Sequence, residues 1–250
     1  QVYPTSLMGC IALLRQLYYD MEWYLNKNEK DYEDLSLIAM HKNNKLPQFF
    51  ITDNHLDILR ASRISNEFNL NYIIKGGGDE YQIINELKSS KTSLIVPINF
   101  PKAYDVEDPY DAIKLSTSKL LHWKNAPKNL AELEKNNIQY SITSQGLNSK
   151  DFLANLRLAV SKGLTKENAY KALTENPAKM LHLENTIGTL EKGKWADFLI
   201  IDPKEPDVGP VIDTYATLAM TISTRNMEAV YIGEDLSASH LLSMTSGFIP

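Results

Sequence analysis

The chain has 250 residues, 43% of them hydrophobic and 23% charged, which is enough to bury a substantial core in one large domain or one and a half small ones. Its 26 basic and 31 acidic residues leave a net charge of −5 and a pI near 5.6. That balance offers no electrostatic footprint for nucleic acid or an anionic membrane, and no apolar run approaches the ~20 residues of a membrane span.

The single cysteine, Cys10, excludes an internal disulfide and cannot build a thiolate metal site alone. Its place on an apolar helix face predicts a buried, inert thiol rather than a nucleophile. The chain opens on Gln1-Val2-Tyr3 without an initiator Met. It therefore reads as a processed or cropped piece from which an upstream targeting segment could have been removed, and a periplasmic or secreted location is weakly favoured over a cytoplasmic one.

Apolar residues at Leu7, Met8, Ile11, Leu14, Leu17, Tyr18 and Met21 have helical spacing, so residues 5–24 form a long amphipathic helix packed on something larger. The charged stretch 27–34 reads as a loop opening a helix over Leu35 to Met40. From Pro47 the pattern alternates. Gln48-Phe49-Phe50-Ile51 is a strand, followed by a helix capped by Asp53 or Asn54. Asn71 to Ile74 is a second strand, and Gly76-Gly77-Gly78 turns it into a short helix through Tyr81, Ile84 and Leu87. Ser93 to Val96 is a third, ended by Pro97. Asp108-Pro109 starts a helix running towards Trp123, Gln139 to Ile142 is a fourth strand, and Asp151 opens another helix. Near the C-terminus, Phe198 to Ile201 reads as a buried strand, 214–221 as a helix and Ala229 to Ile232 as a strand.

Short apolar strands alternating with amphipathic helices predict a parallel sheet covered by helices: half of a (β/α)₈ barrel or a small open α/β sheet. The stretch Ala172-Leu173-Thr174-Glu175-Asn176-Pro177-Ala178-Lys179-Met180-Leu181 adds a more specific signal. It is followed by Ile187-Gly188-Thr189-Leu190-Glu191-Lys192-Gly193-Lys194-Trp195-Ala196-Asp197-Phe198-Leu199-Ile200-Ile201-Asp202. Together they resemble the C-terminal signature of the amidohydrolase superfamily, in its imidazolonepropionase-like branch. Tyr3-Pro4-Thr5-Ser6-Leu7-Met8-Gly9 and Thr52-Asp53-Asn54 resemble a bacterial group with two amidohydrolase-like halves in one polypeptide.

The resemblance implies an α/β fold, a partial or complete (β/α)₈ TIM-type barrel over 1–185, and a C-terminal β-extension from a small composite β-domain over 186–250. It implies metal-dependent hydrolysis of C–N bonds in cyclic or linear amides. In active relatives an HxH pair, a bridging carboxylate, two further His and a terminal Asp hold one or two Zn-like divalent ions at the C-terminal strand ends. Neutral imidazoles and carboxylates suit such an ion, which lowers the pKa of bound water towards neutrality.

At the matching places this chain has Ile51, Gly76 and Ser144, and HxH occurs nowhere. No cofactor is therefore expected in this segment, and no catalytic residue. Two readings follow: an amidohydrolase polypeptide whose segment here is non-catalytic, or a pseudo-enzyme module serving structure or small-molecule binding. The expected partner is a second amidohydrolase-like half or another chain, with a small-molecule or peptide substrate. The polar groups expected at the barrel mouth are Asp53, His55, Asp79, Glu80, Lys102 and Ser144. Of these, His55 reads most simply as a solvated first-turn histidine. Asp79 and Glu80 read as carboxylates favourable to a helix N-terminus. His41, His122, His182 and His240 read as surface or packing residues. Asp105, Glu107, Asp108 and Asp111 read as a solvated acidic excursion, since they miss the EF-hand spacing.

Overall fold

A computed structural model of the chain describes residues 4–27, 33–90, 92–195, 198–201, 227–232 and 235–239. These fall into two compact units, Gln1–Glu184 and Asn185–Pro250.

The first unit is built on a four-stranded parallel sheet: β1 (Gln48–Ile51), β2 (Tyr72–Lys75), β3 (Ser93–Pro97) and β4 (Tyr140–Thr143). The spatial order β1-β2-β3-β4 is the chain order, with Ile51 opposite Lys75 and Pro97 opposite Thr143. A doubly wound sheet reverses its strand order at a switch point, whereas a (β/α)₈ barrel adds each strand beside the last. The order here is that of a barrel segment.

Among the described residues ten α-helices accompany these strands: α1 (Leu7–Asn26), α2 (Leu35–Asn43), α3 (His55–Glu67), α4 (Ile84–Ser89), α5 (Pro109–Lys114), α6 (Thr117–Asn125), α7 (Asn129–Lys135), α8 (Ser149–Ser161), α9 (Lys166–Leu173) and α10 (Glu175–Met180). Alternation along the strands sends Tyr72, Ile74, Leu94, Val96, Tyr140 and Ile142 to one face. They join Ile58, Ala61 and Ile64 of α3, Leu87 of α4 and Leu130 and Leu133 of α7 in the core. The other face is open at β1, where Phe49 and Ile51 are 58% and 67% exposed.

Several boundaries move from those predicted. The strands β2 and β4 each start and end one residue later than their apolar runs. Asn54, not Asp53, caps α3, accepting from the Asp57 N–H at 3.1 Å. Asn148 rather than Asp151 opens α8, with its side chain accepting from the Asp151 N–H at 2.8 Å. The run from Pro109 to Trp123 breaks into α5 and α6 because Ser116 starts a new helix, its side chain accepting from the Lys119 N–H.

Cys10 is exposed, against the expectation of a buried thiol. The line that packs on the core is Ile11, Leu14, Tyr18, Met21 and Leu25, and position 10 lies beside that line. Tyr18 anchors α1 to the sheet through a 2.7 Å hydroxyl–hydroxyl hydrogen bond with Tyr72 and a ring stack on Phe68.

In the second unit, Gly188 and Gly193 adopt φ of 98° and 91°, a backbone that side chains disfavour. β5 (Phe198–Ile201), β6 (Met227–Ile232) and β7 (Asp235–Ser239) form an antiparallel sheet in the order β5-β6-β7. β7 has no counterpart in the sequence reading. The helix expected over 214–221 lies outside the described residues, as does His240.

Candidate functional site at the C-terminal ends of the strands

In parallel α/β sheets ligands bind beyond the carboxyl ends of the strands. Here that rim comprises the segments following Ile51, Lys75, Pro97 and Thr143.

The β1 and β2 ends are locked together. The Thr52 N–H and hydroxyl both donate to the Lys75 carbonyl, at 2.9 and 2.8 Å. The next strand holds Gly76, whose N–H donates to the Ile95 carbonyl at 2.9 Å. The two glycines are demanded by space. A Cβ on Gly77 would lie 2.2 Å from the Asp53 carbonyl oxygen, and one on Gly76 would lie 1.8 Å from Oε1 of Glu80.

Glu80 is thus the group that fills the space beyond β2. It opens a 3₁₀ turn (Glu80–Ile83) and is fully buried. Its Oε1 accepts from the Gly78 N–H at 3.0 Å, and its Oε2 accepts from Nδ2 of the equally buried Asn129 at 2.5 Å. Asn129 Oδ1 in turn accepts from the Tyr81 N–H at 2.8 Å. Burial pushes the Glu80 carboxyl above the usual carboxylate range, partly offset by the hydrogen bonds from the Gly78 N–H and Asn129. The sequence reads Glu80 as a barrel-mouth carboxylate favourable to a helix N-terminus; it stands at the first position of the 3₁₀ turn with its carboxyl buried. Glu80 faces inward and ties the turn to α7.

Asp79 is half-buried and makes a different pair. Its Oδ2 lies 2.6 Å from Nδ1 of His55, with side-chain exposures of 14% and 24%, while its Oδ1 is buried without a hydrogen-bond partner. His55 is therefore not a solvated first-turn residue, as its sequence position suggested. It is the first residue of α3, and β1–β2 pairing brings it beside the loop that follows β2. Ile51 pairs with Lys75, and four residues beyond each lie His55 and Asp79, so the strand register continues into the side-chain pair. The offset of 24 comes from the observed register; the strands read from the sequence, 48–51 and 71–74, are offset by 23 and would have set His55 opposite Gly78.

His122, read as surface or packing, lies with its Nδ1 3.2 Å from the Tyr81 hydroxyl, the two rings stacked. Segment 79–81 thus meets a histidine on each side. The remaining mouth candidates do not join this network: Asp53, Lys102 and Ser144 are exposed. In the acidic excursion, Asp105 and Asp108 accept local backbone N–H groups and Asp111 pairs with Lys114 at 2.8 Å, as loop and cap residues do.

The residues in the metal-ligand places do not fit a metal centre. Ile51 offers only carbon, Gly76 has neither side chain nor room for one, and Ser144 is an exposed hydroxyl. Among the described residues no three His, Cys, Asp or Glu side chains gather closely enough to hold an ion.

Residues 122–236 match the Amidohydrolase family. A 5-methylthioadenosine/S-adenosylhomocysteine deaminase of Thermodesulfovibrio yellowstonii is 29% identical over 115 residues, 41% of this chain and 26% of that protein. The deaminase of the same description from Moorella thermoacetica is 35% identical over 94 residues, 34% of this chain and 22% of its own length. Among solved structures, an amidohydrolase from Thermotoga maritima superposes with a TM-score of 0.66 at 22% identity, covering 95% of this chain and 57% of that one. A Xaa-Pro dipeptidase with bound methionine superposes at 0.50 and 13%, covering 82% and 48%. The chain spans about a quarter of the curated relatives and little more than half of the solved structure. Residues 122–236 thus match an amidohydrolase family domain, and the sequential parallel sheet and the superposition show a partial TIM-barrel fold.

Proposed function

We propose that this chain is the later-strand half of an amidohydrolase-type barrel in which it serves assembly and ligand enclosure rather than metal catalysis. The observation that carries the reading is the space beyond β2. There the buried Glu80 carboxylate, held by Gly78 and Asn129, occupies the volume a side chain at Gly76 would need. A barrel that kept a metal ligand at that strand end would have to keep the space clear.

The partner is a second amidohydrolase-like half, in the same polypeptide or another chain. Three features support this. The strand order is that of a barrel, the β1 edge is open, and Phe49 and Ile51 are exposed on the uncovered face. The whole assembly would act on C–N bonds. The deaminase names of the curated relatives point to a nitrogen-bearing heterocycle as the substrate class. In a second reading, the pseudo-enzyme half binds a small molecule at the strand ends, which the half-buried His55–Asp79 pair favours.

The test is expression of the 250 residues alone and joined to the flanking sequence of their natural polypeptide. The proposal expects the chain alone to be insoluble, partly molten or bound to a partner, and the joined protein to melt cooperatively. A monodisperse monomer with a cooperative melt would show that the segment closes its own sheet.

A further inference from the structure

Outside any metal chemistry, the rim holds one pair of side chains arranged for proton transfer. His55 Nδ1 is 2.6 Å from Asp79 Oδ2. A carboxylate at that distance takes the hydrogen bond of an Nδ1–H, so the neutral ring is held in the tautomer whose lone pair is on Nε2. The Asp79 side chain is 14% exposed, and its second oxygen is buried with no other partner, so the carboxylate is committed to the imidazole rather than to solvent or a cation. His55 makes no other hydrogen bond among the described residues, which leaves Nε2 without a partner, and its side chain is 24% exposed.

The neighbours hold this geometry. Gly77 packs against the Asp53 carbonyl immediately before α3, and Glu80, next to Asp79, is fastened to Asn129 and Gly78. The β1 end that leads to His55 is tied to the β2 end that leads to Asp79 by the Thr52 N–H and hydroxyl on the Lys75 carbonyl, and Glu80 ties the Asp79 loop to α7. A histidine that merely decorated a helix start would need no such backing. This is the arrangement in which a carboxylate orients an imidazole and stabilises the imidazolium formed when Nε2 takes a proton.

We propose that His55, positioned by Asp79, is a proton-accepting group at the C-terminal rim, serving a small ligand that presents an O–H or N–H to Nε2. The same lone pair makes His55 a metal-independent nucleophile towards an activated ester. With p-nitrophenyl acetate, Nε2 bonds to the acetyl carbon, the ester C–O bond breaks, and p-nitrophenolate leaves with the electron pair. Water then hydrolyses the acetyl-imidazolium to acetate, restoring the neutral imidazole and releasing two protons.

The experiment uses the 250-residue chain, alone or with the partner it carries, in the presence of a chelator. Two readouts are taken: side-chain ¹⁵N shifts of its histidines, and the rate of p-nitrophenolate release. The expected results are an Nδ1–H tautomer at His55, an acetyl adduct mapped to His55, and release slowed at least about tenfold in His55→Gln. Asp79→Asn, which keeps the ring but withdraws the carboxylate, should lose the tautomer and most of the rate. His41→Gln and His182→Gln, at exposed positions, should change neither. An Nε2–H tautomer in the unaltered chain overturns the proposal even if the variants fold poorly. Equal release from His55→Gln, or acetylation at His41 or His182 as fast as at His55, overturns it as well. The readouts need no metal and no second catalytic half, so they remain decisive if the barrel-half reading fails.

Discussion

The two halves of the rim differ in kind. Beyond β1 and β2 the chain is closed by polar contacts that are buried between Glu80 and Asn129 and half-buried between Thr52 and Lys75, Glu80 and Gly78, and His55 and Asp79. Beyond β3 and β4, Lys102 and Ser144 are exposed. The β4 turn is held by local bonds, the Leu147 N–H to the Ser144 carbonyl and the Gln145 N–H to the Thr143 hydroxyl. The difference teaches where a ligand set could be rebuilt. On the β3–β4 side a substitution meets solvent. On the β1–β2 side it meets a buried carboxylate or a backbone carbonyl.

Substitutions can break that contrast, and the largest effect is expected at Gly77. Its Cβ would meet the Asp53 backbone, which has no rotamer to move, so Gly77→Ala should destabilise by about 3 kcal/mol or more in denaturant titration. Gly76→Ala comes next, at about 2–4 kcal/mol, because Glu80 can yield only by leaving its buried partners. In the double variant Gly76→Ala, Glu80→Ala the clash is gone, so the two costs should fall short of additive by about 1–3 kcal/mol. Ser144→Asp, on the exposed side, should stay within about 0.5 kcal/mol. Equal costs on both sides would erase the distinction.

A pH experiment sharpens it. Burial disfavours the charged form of Glu80, so its folded-state pKa lies above its unfolded value. Its contribution is fully present below the unfolded carboxylate range and is lost as pH rises through the raised value. Melting temperatures of the wild type and Glu80→Gln, compared between about pH 4 and pH 8, should show the wild type losing ground as pH rises. A smaller effect of opposite sign is expected at Glu134. Partial burial works to raise its carboxyl, but hydrogen bonds from the Thr165 N–H and hydroxyl outweigh this and leave it lowered. That stabilisation is present above the ordinary carboxylate range and lost as pH falls through the lowered value, so Thr165→Val should cost more at neutral pH than in acid, where only the loss of its cap on the Asn168 N–H at the start of α9 remains.

Much of the fold was legible because it rests on local periodicity. Four apolar runs became four strands, and the Asn54 cap and the Pro97 strand end fell where side-chain chemistry puts them. The site was less legible, for a physical reason. Asp79 and Glu80 are adjacent and look alike in sequence, yet one turns to His55 and the other into the core, because only the second can reach Asn129, 49 residues later. Burial of a carboxylate depends on such distant partners. The His55–Asp79 pair depends on a strand register that the apolar runs missed by one residue at β2. Cys10 was misjudged because an apolar neighbourhood along the chain is not an inward-facing side of the helix. β7 was missed because Asp235-Leu236-Ser237-Ala238-Ser239 carries little apolar alternation.

The central claim is that the rim of this chain is built without a metal centre. Elemental analysis of the purified, folded chain tests it most directly. The account expects no stoichiometric zinc, manganese or iron. A molar equivalent of one of these metals, lost on His55→Gln or Asp53→Asn, would contradict it.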